Sequence, residues 1–392
     1  MDSPLLLIAI LGLPALVGHW LLFAAVANRG QAAGLAVGLD HVVTATHWLL
    51  LPAVPAAFLI TERPWTYEFA AAVRAGDFCP VWGTYFAVCY ATLLVTVGER
   101  LIRAVVSDQI PLTTATRLAV ERPHAPPEPD RARHPLALIA RLPLNESGTF
   151  EVHEYPIGIA GLADRWNGLR IAHLGDLHVT GDVGLNYFRR VVEVTNGLRP
   201  DLIVVSGDLL DREELLDAFV ELVAPLEAPL GVAFVFGNHD LRHGPDVTRE
   251  RLREAGWTHV GGRAEVFQDG DDTLILAGDE RPWFGGPPQT SPADASALRV
   301  LVSHTPDNFS AACRAGYDLV LSGHNHGGQV RLPGLGAVYS PSLTGTRYAG
   351  GLYRRGRTAL HVTRGLSAEI PLRFRCPAEV AVLTLGRSEA AL

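Results

Sequence analysis

The first 98 residues of the chain contain three stretches without a single charged side chain, and these stretches limit what this region can fold into. They cover residues 3–28, 41–61 and 78–98, which makes them 26, 21 and 21 residues long. An α-helix needs about 20 predominantly apolar residues to cross the hydrocarbon core of a bilayer. Each stretch reaches that length, so the sequence predicts a membrane region over residues 1–110 with about three transmembrane helices.

The first and second stretches each allow another interpretation. A cleaved signal peptide is the alternative for the first, but its start, Met-Asp-Ser-Pro, carries no basic residue and its apolar run is too long. The second contains Pro52 and Pro55, which favour a kinked or partly re-entrant helix. Its histidines, His41 and His47, are expected at the membrane interface or in helix packing and not as ligands.

The placement of arginine predicts the orientation of these helices. Arginine-rich flanks of membrane helices stay in the cytoplasm. The start of the chain has no arginine, whereas the stretch after the third apolar segment contains Arg100, Arg103, Arg117 and Arg122. We therefore expect a multi-pass protein of the cell (inner) membrane whose C-terminal part is cytoplasmic. Arg63 and Arg74 argue the other way, because they lie in the loop that this topology places outside.

Composition separates the remainder of the chain into two parts. Residues 111–148 are rich in proline and charge and indicate a linker or surface strap, and residues 149–388 read as a folded domain. The chain has 41 acidic and 33 basic residues, a net charge of −8, which argues against a nucleic-acid partner. Its four cysteines form no C-x-x-C pair, so a structural zinc finger is excluded and a disulfide scaffold is not expected.

Strands and helices alternate in the folded domain. Short apolar runs predict strands at 169–174, 201–205 and 232–236, and helical periodicity predicts helices near 185–198, 212–224 and 246–255. Further strands are predicted at 274–277, 299–302, 318–321, 360–363 and 380–385. This order indicates an α/β architecture with buried sheets.

Polar residues follow five of these strands directly. The strand ends continue as Gly-Asp-Leu-His, Gly-Asp-Leu-Leu-Asp, Gly-Asn-His-Asp, Ser-His and Gly-His-Asn-His-Gly-Gly. Ligands of α/β proteins bind beyond the carboxyl ends of strands. The candidate site residues are Asp176, His178, Asp208, Asn238, His304, His324 and His326. A turn or a helix cap explains any one of them alone, but not all five strand ends together.

The chemistry of these seven side chains indicates metal binding. Carboxylate, amide and imidazole donors without a thiolate suit manganese, iron or zinc, and seven donors are too many for one four-coordinate ion. We therefore predict two divalent ions that share one carboxylate, an arrangement that hydrolyses phosphoesters. His239 follows Asn238 and would serve the chemistry without binding metal, by protonating the leaving group or stabilising charge. Asp240 would orient the His239 imidazole.

These motifs, in this order, resemble the calcineurin-like metallophosphoesterase superfamily, and the resemblance covers about residues 150–388. The C-terminal sequence resembles the membrane-associated bacterial branch, with YkuE- and YaeI-like phosphodiesterases and UDP-2,3-diacylglucosamine pyrophosphatases. The resemblance implies a four-layer α/β/β/α sandwich. It also implies a catalytic role for His239 and a bridging role for Asp208. Its first metal would be held by Asp176, His178, Asp208 and His326, and its second by Asp208, Asn238, His304 and His324. Gly175 departs from the family, which commonly has serine there.

Three functions are compatible with these features. The first is a membrane-bound phosphodiesterase or pyrophosphatase acting on a lipid-linked phosphoester, and the second is a generic phosphoesterase of soluble substrates tethered to the membrane. The third is a non-enzymatic metal-binding membrane protein, which predicts a lost ligand or a lost catalytic histidine; none is lost. The 278–297 loop bears on the first two, because Trp283 and Phe284 would form one wall of an acyl groove or belong to an ordinary exposed loop.

Overall fold

The structure, a computed structural model, describes residues 8–32, 37–77, 79–105, 115–124, 127–128, 132, 134–289 and 297–388. It divides the chain into two compact units, residues 1–107 and 108–392.

The N-terminal unit is helical. A π-helical turn over Ile8–Gly12 leads into α1, and the helices are α1 (Leu13–Ala32), α2 (Val37–Glu62), α3 (Tyr67–Ala75) and α4 (Pro80–Val105). Three segments are long and apolar enough to cross a membrane: Ala9–Ala27, Ala45–Glu62 and Pro80–Ile102. They match the three predicted spans in number and position. Helix α2 continues through Pro52 and Pro55 as one helix and does not form a re-entrant loop.

Hydrogen bonds and ring contacts of histidine side chains connect these helices. The buried ring of His19 in α1 bonds through Nε2 to the carbonyl oxygen of Leu51 at 2.8 Å, and through Nδ1 to the hydroxyl of Tyr85 in α4. The ring of His47 packs against Phe23 with centroids 5.5 Å apart. His47 is therefore a helix-packing residue, as predicted, whereas the side chain of His41 lies outside the described part.

The C-terminal unit contains two large sheets. The first has the strand order β1-β2-β15-β3-β4-β5-β6 and the second has the order β13-β14-β10-β9-β8-β7. Strands β3 to β6 run parallel, and so do β8, β9, β10 and β14. The strands of the first sheet are β1 (Thr116–Glu121), β2 (Phe150–Ala160), β3 (Arg170–Leu174), β4 (Leu202–Val205), β5 (Val232–Phe234), β6 (Trp257–His259) and β15 (Ala378–Ser388). Those of the second are β7 (Ala264–Asp269), β8 (Asp272–Asp279), β9 (Leu298–Ser303), β10 (Leu319–Ser322), β13 (Gly351–Arg355) and β14 (Thr358–Val362). A small hairpin pairs β11 (Arg331–Leu332) with β12 (Gly336–Ala337).

Helices cover the outer face of each sheet. The helices of this unit are α5 (Pro135–Ile139), α6 (Leu185–Gly197), α7 (Leu216–Val223), α8 (Pro245–Glu254) and α9 (Phe309–Arg314). One apolar core lies between the first sheet and α6, α7 and α8, a second lies between the two sheets, and a third lies between the second sheet and α9. Successive residues of a strand point to opposite faces, so Ile171 enters the core between the sheets while Ala172 packs toward the helices. The result is the predicted four-layer α/β/β/α sandwich.

Part of the predicted linker belongs to this sandwich. Strand β1 pairs antiparallel with β2 as an edge strand of the first sheet. Further along, the main-chain N–H of Glu128 donates to the carbonyl of Gly181 at 2.8 Å, and its carboxylate accepts the N–H of Leu185 at 3.1 Å. Residues 116–121 and Glu128 thus belong to the folded unit, although they precede residue 149. This favours the strap over the free linker.

Candidate metal centre

The seven candidate ligands meet at one edge of the sandwich. Asp176 and His178 follow β3, Asp208 follows β4, and the other candidates follow β5, β9 and β10. Because parallel strands end on the same side of a sheet, their loops converge. The ligand atoms of one group lie within 4.8 Å of one another; this group is Asp176, His178, Asp208 and His326. A second such group is Asp208, His304 and His324. Asn238 joins the second group, because its Oδ1 lies 3.1 Å from Nε2 of His304.

Asp208 is common to both groups. Its Oδ2 lies 3.3 Å from Nε2 of His178 in the first group and 3.3 Å from Nε2 of His304 in the second. Its Oδ1 accepts the main-chain N–H of His239 at 2.9 Å, which fixes the carboxylate between the groups. Asp208 is therefore the carboxylate that the two groups of candidate ligands share.

The backbone of the site is in a conformation that side chains other than glycine rarely adopt. Five candidate ligands have positive φ: 50° at Asp176, 40° at His178, 53° at Asp208, 70° at His324 and 49° at His326. Each such residue costs on the order of 1–3 kcal/mol and persists only where the surrounding structure imposes it. These backbone conformations therefore lower the stability of the loops, and they direct the five side chains toward the same site.

Two glycines make room for this convergence. A Cβ at Gly237 would lie 2.2 Å from Asp208 Oδ1 and 2.6 Å from Nε2 of His304, so any side chain there would displace candidate ligands. A Cβ at Gly175 would lie 2.3 Å from Oγ of Ser206. The Ser206 hydroxyl fills the space that a residue-175 side chain would need, which explains why glycine stands at this position.

Three imidazoles have their orientation set by an oxygen outside the cluster. Nδ1 of His178 lies 2.8 Å from Oδ2 of Asp211, and Nδ1 of His304 lies 2.7 Å from the carbonyl of Ser206. Nδ1 of His326 lies 3.0 Å from the carbonyl of Ser367. These partners assign the proton to Nδ1, which leaves the Nε2 lone pair free. Metal-ligating histidines are held in this way.

The donor set fits a pair of divalent cations. Nε2 of His178 is buried and has no hydrogen-bond partner among the described residues. Asp176 and Asp208 are fully buried carboxylates, and buried charge requires compensation by a cation. Burial raises the pKa of Asp176 to about 6, and the neighbouring Asp208 adds to the rise. Buried oxygen and nitrogen donors without a thiolate fit a dinuclear divalent-metal site.

His239 stands beside this cluster with a carboxylate partner of its own. Its Nδ1 lies 3.1 Å from Oδ1 of Asp211, and its ring packs edge-on against His178 with centroids 4.5 Å apart. Burial lowers the pKa of His239, but Asp211 and Asp208 outweigh burial and raise it above the usual value. The side chain is 15% exposed, so it can reach a molecule in the site.

The carboxylate beside the His239 imidazole belongs to Asp211 and not to Asp240, for which the sequence predicted this contact. The carboxylate of Asp240 accepts three main-chain N–H groups, from Asp208 at 2.9 Å, Leu209 at 2.9 Å and Gly237 at 2.8 Å. Asp240 therefore ties together the loops after β4 and β5, and the predicted contact with the His239 imidazole is made by Asp211 instead. Asp211 is the last residue of the Gly-Asp-Leu-Leu-Asp motif. Its position just after a strand end is the feature by which the sequence could have indicated it.

Comparison with known proteins connects this geometry to a family. The profile of the calcineurin-like phosphoesterases matches residues 169–328, the segment that carries all seven candidate ligands at five strand ends. The chain is 30% identical over 256 residues to the protein named "Uncharacterized metallophosphoesterase YkuE" of Bacillus subtilis, covering 61% of this chain and 87% of that one. This chain is a calcineurin-like metallophosphoesterase. It is an enzyme that hydrolyses phosphoesters.

Two further relatives of this metallophosphoesterase are informative. It is 31% identical over 245 residues to "Phosphodiesterase YaeI" of Escherichia coli, covering 61% of this chain and 90% of the relative. It is 29% identical over 259 residues to "Transmembrane protein with metallophosphoesterase domain" of Danio rerio, covering 61% of this chain and 58% of that one. The branch predicted from the sequence is confirmed, and the apolar N-terminal helices together with the Danio rerio relative suggest membrane association.

Proposed function

We propose that this metallophosphoesterase is a multi-pass membrane enzyme that hydrolyses a phosphodiester or pyrophosphate bond in a lipid-linked substrate. The single observation that carries the phosphoesterase part is the position of Asp208, which lies within ligand distance of both groups of donors. The relative named a phosphodiesterase supports the choice of a diester.

The residues that would hold the two ions follow from the two groups. Asp176, His178, Asp208 and His326 would hold the first ion, and Asp208, Asn238, His304 and His324 would hold the second. The ions would be manganese, iron or zinc, which suit these donors. When bound, such a pair neutralises charge on phosphoryl oxygens and lowers the pKa of water.

His239 and Asp211 supply the proton transfer in this proposal. The raised pKa of His239 increases the fraction of its imidazole that is protonated, which suits a donor of a proton to the oxygen of the leaving group. Burial opposes ionisation of Asp211, but His178 and His239 lower its pKa far enough to keep it a carboxylate. Asp211 therefore holds the proton of His239 on Nδ1 when the ring has lost the other one.

Membrane attachment supports a lipid-linked substrate over a soluble one. Three candidate spans precede the catalytic unit, and a hydrolase held at a bilayer meets substrates that are held there too. The arginine distribution supports a cytoplasmic catalytic domain at the inner membrane. A reporter that works only in the cytoplasm should be active when fused after Leu392 and inactive when fused after Asp77. The opposite pattern would move the substrate to the outer face.

Turnover by the purified full chain in detergent tests the reaction. The substrates are bis(p-nitrophenyl) phosphate, p-nitrophenyl phosphate and a nucleotide-linked lipid with a pyrophosphate bond, each with the enzyme saturated in Mn²⁺. We expect hydrolysis of the diester or the pyrophosphate, with the lipid preferred to its deacylated analogue, and no turnover by Asp208→Asn. A preference for the deacylated analogue would support the tethered enzyme of soluble substrates. If the chain binds two ions but hydrolyses none of these substrates, the result would support a non-enzymatic metal-binding protein.

A further inference from the structure

The indole of Trp283 lies against two candidate ligands of the second group. Its ring centroid is 5.4 Å from that of His304, with the planes at 67°, and 5.0 Å from that of His324, with the planes at 56°. The two imidazoles are buried, whereas Trp283 is partly exposed. A molecule that approaches this group of donors therefore meets the indole beside them.

The backbone under Trp283 is firmly attached to the scaffold of the site. The N–H groups of Trp283 and Phe284 both donate to the carbonyl of Glu280 at 3.1 Å. The Glu280 carboxylate accepts the N–H of Phe236 at 2.6 Å and lies 2.6 Å from Nε2 of His259. The ring of Phe284 packs on Phe236, with centroids 5.7 Å apart. Because Phe236 lies two residues before Asn238, Trp283 and the donors share one rigid support, and a ring that is already ordered loses little entropy on binding.

The chemistry of this surface suits an uncharged apolar group. The face of an indole carries partial negative charge and does not attract phosphoryl oxygens. The nearest cation in sequence, Arg281, is engaged by the buried carboxylate of Asp279 at 2.6 and 2.9 Å. Pro282 and Phe284, on either side of the tryptophan, are apolar as well. An aryl ring or an alkyl chain would bury area here that water would otherwise cover.

We propose that Trp283 forms an apolar subsite that binds the ester group retained on the phosphate after hydrolysis. This inference rests on the proposed diesterase function. His239, the proton donor to the leaving group, contacts His178 of the first group, and Trp283 contacts only members of the second group among the ring contacts of the described residues. His239 thus packs on a ring of the first group and Trp283 on two rings of the second. We therefore assign to Trp283 the ester group that His239 does not protonate.

Three diesters with the same leaving group test this subsite. They are p-nitrophenyl methyl, p-nitrophenyl phenyl and p-nitrophenyl octyl phosphate, and kcat/KM is measured with the full chain in detergent. We expect the wild type to favour the phenyl or octyl diester over the methyl diester by about tenfold or more, the size of effect that apolar pockets achieve. Trp283→Ala should remove this preference, because kcat/KM should fall further for the phenyl and octyl diesters than for the methyl diester. Trp283→Phe should restore most of the preference.

Controls separate a subsite from a structural role. Val266→Ala changes an exposed apolar residue on edge strand β7 and should keep the wild-type preference. Metal content should be the same in all variants, and calorimetric binding of phenyl phosphate relative to methyl phosphate should fall in Trp283→Ala alone. A preference for phenyl identifies an aryl ligand, and a preference for octyl identifies an alkyl chain.

Two outcomes would overturn the proposal. One is a preference that survives Trp283→Ala, and the other is an equal loss on all three diesters together with lost metal, which would mean that the ring merely packs against the ligands. If the wild type hydrolyses none of the diesters, the proposed function fails. The calorimetric comparison would then still decide whether Trp283 binds an apolar phosphate ester.

Discussion

Oδ1 of Asp211 lies 3.1 Å from Nδ1 of His239, and this contact joins the proposed proton donor to a buried carboxylate. The other oxygen of the same carboxylate lies 2.8 Å from Nδ1 of His178, a candidate ligand. One side chain therefore orients both a candidate metal ligand and the imidazole for which we propose a role in the chemistry. The two roles have different experimental signatures.

Replacing His239 by alanine should lower kcat and leave metal content near that of the wild type. General acid catalysis contributes about 10²- to 10⁴-fold, so we expect a loss of that size for an alkoxide leaving group. The loss should be smaller for p-nitrophenolate, which leaves without a proton. Steady-state kinetics on both substrates and elemental analysis check this. Stripped metal would make His239 a ligand, and equal losses on both substrates would indicate charge stabilisation instead of proton donation.

Asp211→Asn should combine a kinetic defect with weaker metal binding. Loss of the negative charge lowers the pKa of His239, so a smaller fraction of the enzyme carries the catalytic proton at neutral pH. Loss of the partner of His178 should weaken metal affinity by about 10- to 100-fold, as removal of such supporting carboxylates does. Metal titration of activity separates the two effects, because excess metal should restore occupancy without restoring kcat. Asp240→Asn offers the comparison: it should destabilise the loops without changing the leaving-group dependence.

Asp208→Asn should cost more bound metal than any other single substitution in the site. The wild type should saturate at two ions per chain, and this variant should lose both, because the carboxylate lies between the two groups. His324→Ala, which removes a member of one group, should retain one ion. Asp217→Asn replaces a carboxylate that is 77% exposed and should bind two. Elemental analysis of the purified chains decides, and a wild-type stoichiometry of one or none contradicts the dinuclear centre.

Gly237→Ala should weaken metal binding without unfolding the sandwich. The added methyl group would lie 2.2 Å from Oδ1 of Asp208 and 2.6 Å from Nε2 of His304, so both candidate ligands must move. We expect the metal concentration at half-saturation to rise by at least about tenfold. Gly148→Ala is the matched control, since a Cβ there meets nothing within 4 Å. Circular dichroism should be unchanged in both variants; wild-type metal affinity in Gly237→Ala would contradict the close approach.

Glu379→Gln should remove part of the pH dependence of stability. Glu379 is buried, accepts the hydroxyl of Tyr155 at 2.7 Å and lies 3.6 Å from the guanidinium of Arg364. Burial raises its pKa, but Arg364 and His153 outweigh burial and hold the pKa well below the usual value. A carboxyl whose folded-state pKa is lowered stabilises the fold above its unfolded pKa of about 4.3, and this contribution is lost as pH falls from there through the lowered folded-state pKa.

The measurement is the free energy of unfolding of the wild type and the variant between about pH 2 and pH 8. The variant should be less stable at neutral pH by about 3 kcal/mol, since breaking a buried pair leaves an uncompensated charge. The difference should stay nearly constant down to about pH 4 and shrink below it, where the wild type loses the same contribution. Glu214→Gln, at a carboxylate that is 74% exposed, should follow the wild type throughout. A difference that does not change with pH would contradict the low pKa of Glu379.

Features that depend on local pattern follow from the amino-acid sequence alone. Charge-free length predicted the three candidate spans, and short apolar runs predicted the parallel strands whose ends carry the donors. All seven candidate ligands lie together because parallel strands must end at the same edge, a rule that needs no coordinates. Strand β2 was missed because polar residues such as Glu151 and His153 interrupt its apolar pattern, and β1 was missed because it lies in a proline-rich strap.

The carboxylate that contacts His239 is set by contacts between segments that are distant in the chain. Asp240 is its neighbour in sequence, yet the backbone turns Asp240 toward three N–H groups of adjoining loops, and Asp211 reaches the imidazole from the loop after another strand. The positive φ values at five ligand positions are equally non-local, because side chains with a Cβ adopt them only where surrounding contacts impose them. The packing of Trp283 against two imidazoles likewise depends on contacts that local sequence does not encode. Periodicity records which face of a strand is buried, but the direction of a loop side chain depends on contacts between segments far apart in the chain.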